Sequence, residues 1–139
     1  MLSRTCKYAL QAIVLLASKG QEAMTTQDIA NGTNIPVSYL AKVMQLLVKA
    51  AVVKSQRGLN GGFRIVKDTK DLNLFEVINA VDPIRKCASC PLGMSCDCAS
   101  LCPLFKKLAA IDAMTYEAYR NTTVAELVTV KQKACKHSS

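Results

Sequence analysis

Five of the chain's seven cysteines stand within residues 87–102, CASCPLGMSCDCASLC. They are Cys87, Cys90, Cys96, Cys98 and Cys102. Thiols packed this densely serve one of four chemistries: a disulfide staple, a zinc site, an oxidisable thiol switch or an iron–sulfur centre. A staple fits poorly. At 139 residues, half of them apolar, the chain can bury a core without one, and an odd cysteine count closes no framework. Structural zinc favours two CxxC-like pairs, or a Cys pair with a His pair. Here no second CxxC follows at the usual distance, and the single histidine, His137, is near the C-terminus. Zinc and a thiol switch both stay open. Cys90, Cys96 and Cys102 are evenly spaced as C-x5-C-x5-C. Three soft thiolates in a loop bearing Gly, Ser and Pro suit an iron–sulfur cluster whose fourth ligand comes from elsewhere. Cys102 precedes Pro103, a residue suited to the first position of a helix. The positive end of that helix dipole would stabilise the Cys102 thiolate and a cluster's negative charge, as would Arg85 and Lys86. A thiol–disulfide enzyme built on Cys87-Ala-Ser-Cys90 would need a βαβ scaffold, and no such pattern surrounds it, so no enzyme is expected.

The charge distribution indicates a partner. The net charge is +8, and no acidic residue stands between Asp28 and Asp68. That window carries Lys42, Lys49, Lys54, Arg57, Arg64 and Lys67, a face suited to a polyanion. The apolar run Ala9–Ala17 is interrupted by Gln11 and is too short to span a bilayer. No membrane association and no signal peptide are expected, which places the chain in the cytoplasm, where thiols stay reduced.

The elements that must position these residues read as mainly α with a small β-hairpin. Tyr8–Ala17 predicts a buried helix ending near Gly20. Thr25-Thr-Gln-Asp28 resembles a capping box and opens a short helix that Gly32-Thr-Asn34 should break. Pro36 then suits the first turn of a longer helix, Val37 to Ala50. That helix places Leu40, Val43, Met44, Leu47 and Val48 on one face. Ser38, Tyr39, Lys42 and Gln45 fall mostly elsewhere. Short helix, tight turn and longer helix make a helix-turn-helix, whose second helix enters a major groove.

Ala51–Arg57 and Phe63–Val66 are β-prone runs around Gly58-Leu-Asn-Gly-Gly62, predicting a hairpin with Arg57 and Arg64 on or near its tip. This is the order of a winged helix, and a wing arginine suits a narrow minor groove. Leu72–Val81 predicts a further short helix, ended by Asp82-Pro83. Beyond the cysteines, Pro103 opens a long helix with a stripe of Leu104, Leu108, Ile111, Thr115 and Ala118, widened by Phe105, Met114 and Tyr119. That stripe suits either its own domain or a second copy of the chain. Thr123-Val-Ala-Glu126 matches a capping box and starts a further short helix, followed by a frayed basic tail, Lys131–Ser139, that contains Cys135.

Several stretches together resemble the Rrf2-type winged-helix regulators of bacteria. They are Tyr8-Ala-Leu10, Ile35-Pro-Val-Ser-Tyr-Leu40, Arg57-Gly-Leu-Asn-Gly-Gly-Phe63, Cys90-Pro-Leu-Gly with Cys96, and Cys102-Pro-Leu. The resemblance covers residues 1–128. It implies a homodimeric DNA-binding transcription regulator, usually a repressor. Cysteines at the positions of Cys90, Cys96 and Cys102 would hold an iron–sulfur cluster whose state tunes operator affinity. A regulator using zinc or a thiol switch without a cluster is the alternative.

The chain departs from the family's pattern at the fourth ligand. The branch that regulates iron–sulfur biogenesis uses a histidine three residues after the last cysteine, where this chain has Phe105. The nitric-oxide-sensing branch uses an aspartate in the first helix, where this chain has Lys7. Cys6, Cys87, Cys98 or an exogenous small molecule are the remaining candidates. The recognition helix has Ala41 where the biogenesis branch has glutamate, so promoter preference should differ. The expected organisation is a winged helix-turn-helix domain over 1–82, a cluster-binding loop over 83–102, and a dimerisation helix with a C-terminal tail over 103–139. Ser38, Tyr39, Lys42 and Gln45 are expected in the major groove, with Arg57 and Asn60 at the wing.

Overall fold

The structure, a computed structural model, describes residues 2–20, 22–84 and 102–137. Cys87, Cys90, Cys96 and Cys98 lie outside the described residues. Helix α1 spans Arg4–Ser18, four residues earlier than its apolar run predicts, because the Ser3 side chain caps it by accepting from the Cys6 N–H at 3.2 Å. It is the central helix. Cys6, Ala9, Ala12, Ile13, Leu15 and Leu16 are buried, and α1 touches four of the other helices.

Helix α2 (Thr26–Thr33) opens on the expected box. The Asp28 N–H donates to Thr25 Oγ1 at 3.1 Å, and the Thr25 N–H donates to the Asp28 carboxylate at 3.2 Å. Gly32 does not break this helix. It lies inside it, where a Cβ would stand 2.6 Å from Leu15 Cδ2, so its small size lets α2 approach α1. The break falls at Asn34, left-handed at φ 61, whose N–H donates to the Ala30 carbonyl at 2.8 Å. Helix α3 (Val37–Lys49) follows, with Pro36 as its N-cap residue. It buries Leu40, Val43, Met44 and Leu47. Val48, expected on the same face, is exposed.

Strands β1 (Val53–Gln56) and β2 (Gly62–Ile65) pair antiparallel in the register Val53–Ile65, Lys54–Arg64, Ser55–Phe63 and Gln56–Gly62. Arg64 is therefore in the body of the hairpin opposite Lys54, not at the tip. Met24 adds an isolated bridge to Phe63, with N–H···O bonds of 3.0 and 2.7 Å that tie the wing root to the lead-in of α2.

Helix α4 (Leu74–Val81) carries a second capping box, Asn73 with Glu76. Helix α5 (Pro103–Asn121) begins with proline at its first position, as expected, and buries no residue. Ile111 is 57% and Met114 72% exposed, so much of the predicted stripe faces away from the body. The side towards α4 is aromatic. Phe75 and Tyr116 have ring centroids 5.5 Å apart, and the Arg120 guanidinium lies 4.9 Å from the Phe75 ring. Helix α6 (Val124–His137) starts at the third capping box, where the Thr123 N–H donates to the Glu126 carboxylate at 2.6 Å. It is neither short nor followed by a frayed stretch at Lys131. It runs to His137 and packs back along α1, with Val124 fully buried.

Candidate functional site

The outer face of α3 carries the four residues assigned to base reading. Ser38, Tyr39, Lys42 and Gln45 are all exposed. Ser38, Lys42 and Gln45 follow one another at spacings of four and three, so they share one side of the helix. Tyr39 is held differently. Its hydroxyl is 2.9 Å from Thr5 Oγ1 of α1, and its ring meets Tyr8 edge-on with centroids 5.2 Å apart. A side chain bound on two sides to α1 fixes the start of α3 as much as it offers a hydroxyl to a base. Thr5 was not among the residues singled out from sequence. Its pairing with a residue 34 positions away leaves no local signal.

The wing presents Arg57 and Asn60, both exposed, in the turn between β1 and β2. Positive φ at Gly58 (102°) and Asn60 (65°) shapes that turn, and the Gly61 N–H closes it onto the Gly58 carbonyl at 2.9 Å. Behind the tip, Lys54 and Arg64 are directly opposite each other. Like charges at facing positions of a hairpin repel. Arg64 Nε is also buried without a hydrogen-bond partner. Among the described residues neither Lys54 nor Arg64 is in an ion pair, so the hairpin presents positive charge suited to an anion.

Of the loop thiols, only Cys102 is among the described residues. It is half-buried, free, and at the N-cap position of α5 with no side-chain hydrogen bond to that helix. Among the described residues its sulfur has no hydrogen-bond partner, and it stands at the N-terminus of a 19-residue helix, whose positive end suits an anionic group. Cys6 is different. It is 2% exposed and donates to Asp82 Oδ2 at 3.8 Å. Burial pushes its thiol pKa up. The Ser3 hydroxyl opposes that shift, and the Asp82 charge adds to it. Lys7 is exposed and Phe105 half-buried. Among the described residues, no three His, Cys, Asp or Glu side chains approach closely enough to hold a metal ion.

The segment leading into residues 85–101 is anchored on its near side. Cys6 holds Asp82, and the Tyr116 hydroxyl of α5 donates to the Ile84 carbonyl at 3.2 Å. Cys102 on the far side begins α5 itself. The described residues on both sides of 85–101 are therefore tied to α5.

Helix-turn-helix, hairpin and trailing helices define a winged-helix DNA-binding protein. The chain belongs to the Rrf2 family: residues 2–130 match the family model described as iron-dependent transcriptional regulator. It is 28% identical to the HTH-type transcriptional regulator IscR of Vibrio parahaemolyticus over 88% of this chain and 74% of that one. It is 36% identical to the HTH-type transcriptional regulator NsrR of Bacillus licheniformis, over 55% of this chain and 54% of that one. In structure it is similar to CymR, the global cysteine regulator of B. subtilis. The TM-score is 0.78 at 21% identity, covering 94% of this chain and 97% of that one. These relatives are transcriptional regulators, not enzymes. Among the described residues, no helix is long and apolar enough to cross a membrane.

Proposed function

We propose that this regulator is a homodimeric repressor that binds operator DNA through α3 and its wing and adjusts its affinity through an iron–sulfur cluster on the cysteine loop. The observation that carries the DNA part is the opposition of Lys54 and Arg64 in a wing within residues 29–67, which hold no acidic residue. Ser38, Lys42 and Gln45 would face base edges in the major groove, while Arg57 and Asn60 enter the adjacent minor groove. Tyr39, held by Thr5 and Tyr8, sets the angle at which α3 is presented.

For the cluster, the donor chemistry fits. Cys90, Cys96 and Cys102 would supply three soft thiolates, and the helix N-terminus at Cys102 favours a cluster's negative charge. Cys87 and Cys98 remain candidates for the fourth position. Cys6 would first have to give up its proton and its bond to Asp82. The cluster would supply a redox- and ligand-sensitive centre whose state differs between cellular conditions. The chain's own residues carry the coupling. A change at the loop acts on Ile84 and Cys102, hence on Tyr116 and the pitch of α5 against α4. If α5 forms the dimer contact, its pitch sets the separation of the two α3 helices, so two dimer geometries differ in operator affinity.

Anaerobic purification followed by visible spectroscopy and metal analysis tests the cofactor. The expected result is absorbance in the visible with iron and sulfide bound, lost in Cys96→Ala. A colourless protein with stoichiometric zinc would contradict it. For the wing, Arg57→Ala should weaken binding to a selected operator about tenfold, an effect of about 1.4 kcal/mol. Unchanged affinity would count against the assignment.

A further inference from the structure

The contact between Tyr39 and α1 extends the DNA-facing surface beyond the recognition helix. The Thr5–Tyr39 hydroxyl pair and the Tyr8–Tyr39 ring contact fix the first turns of α1 against the start of α3. Whatever lies under the N-terminal half of α3 therefore lies close to the N-terminal end of α1. Arg4 occupies that end. It is exposed, and it stands four residues before Tyr8, on the helix flank that turns towards Tyr39. No acidic residue stands in the first turn of either α1 or α3. A cation in the first turn of a helix is opposed by the macrodipole, and this chain keeps one there with no carboxylate beside it in that turn. A local rule broken without a local compensation points to an external one.

We propose that Arg4 contacts a phosphate of the DNA backbone flanking the bases under α3, acting as a positioning residue for the recognition helix. The assignment rests on the DNA-binding reading above. Because Arg4 stands outside α3, on the rim of the surface, its partner is a phosphate oxygen and not a base edge. Its contribution is thus independent of base sequence.

The test is a salt titration. The full chain is purified anaerobically, and a duplex is recovered by selection from a random library. Binding of that duplex, and of a scrambled duplex of equal length, is followed across potassium chloride concentrations for wild type, Arg4→Ala and Arg4→Lys. In Arg4→Ala the slope of log affinity against log salt should become shallower by about one unit per bound protomer. The loss of affinity should be several-fold at low salt, similar on both duplexes, and shrink as salt rises. Arg4→Lys should keep the wild-type slope, because it keeps the charge. A wild-type slope in Arg4→Ala overturns the assignment while leaving the DNA reading intact. A loss confined to the selected duplex also overturns it, since that would mean base reading. A wild-type protein that binds neither duplex overturns the DNA reading and this assignment with it.

Discussion

Gly62 and Met24 are so close that no side chain fits between them. A Cβ on Gly62 would overlap the Met24 carbonyl and stand 2.8 Å from the Thr25 nitrogen, and Gly62 itself holds φ at 137°. This contact sets the wing against the entry to α2, with Met24 bridged to Phe63 alongside. Gly62→Ala should therefore lower stability by about 2 kcal/mol or more, since backbone strain and a backbone clash act together. Gly58→Ala is the control. Its φ is 102°, but a Cβ there meets nothing within 4 Å, so only strain of about 1 kcal/mol remains. Urea denaturation of both variants separates the two effects. Equal losses would mean that the Met24 contact contributes nothing.

Cys6 should behave as a slow thiol. Its pKa is raised, first by burial and further by the neighbouring Asp82 charge. The folded state thus holds the thiol proton more tightly than the unfolded chain does. The associated stability is fully present below the ordinary cysteine pKa of about 8.5 and is lost as pH rises from there through the folded-state value. Native alkylation at pH 8, read by peptide mass spectrometry, should label Cys6 far more slowly than in urea. Equal rates would show that the thiol is open to solvent. Denaturation midpoints should fall above pH 9 by more in wild type than in Cys6→Ala.

What sequence made legible was what neighbours in the chain decide. The Thr25–Asp28 box, the Thr123–Glu126 box and Pro103 at the start of α5 involve residues within a few positions of one another, and each forms as expected. The break expected over Gly32-Thr-Asn34 falls at Asn34, while the role of Gly32 itself is set by Leu15, seventeen residues earlier. A glycine needed for close helix packing looks the same in sequence as one that ends a helix. The position of Arg64 depends on strand register, seen in the pairing of Val53 with Ile65 and in the Met24 bridge to Phe63, both non-local. α6 was underestimated at its C-terminal end. It is anchored on the core by Val124 and Val128, and its stretch past Lys131 is polar, with residues 132–134 exposed, so no apolar period marks its extent. The thiol site was legible only as spacing. Of its three principal cysteines, Cys102 alone belongs to the described elements.

The exposed side of α5 should be where two copies meet. Ile111 and Met114 are exposed on a helix that has no fully buried residue. Replacing both with lysine places two charges at any such seam and should convert a dimer to a monomer in sedimentation velocity, with circular dichroism little changed. A double variant that still sediments as a dimer would put the contact elsewhere. Because a monomer offers one recognition helix, affinity for a palindromic duplex should fall by at least about a hundredfold.

The most direct test of the account is the operator affinity of anaerobic wild-type protein measured beside Cys96→Ala on the same selected duplex by fluorescence anisotropy. Wild type should bind more tightly, by about tenfold or more, a coupling of at least about 1.4 kcal/mol between the cysteines and the DNA surface. Equal affinities, from two proteins with the same helical content and the same oligomeric state, would contradict it.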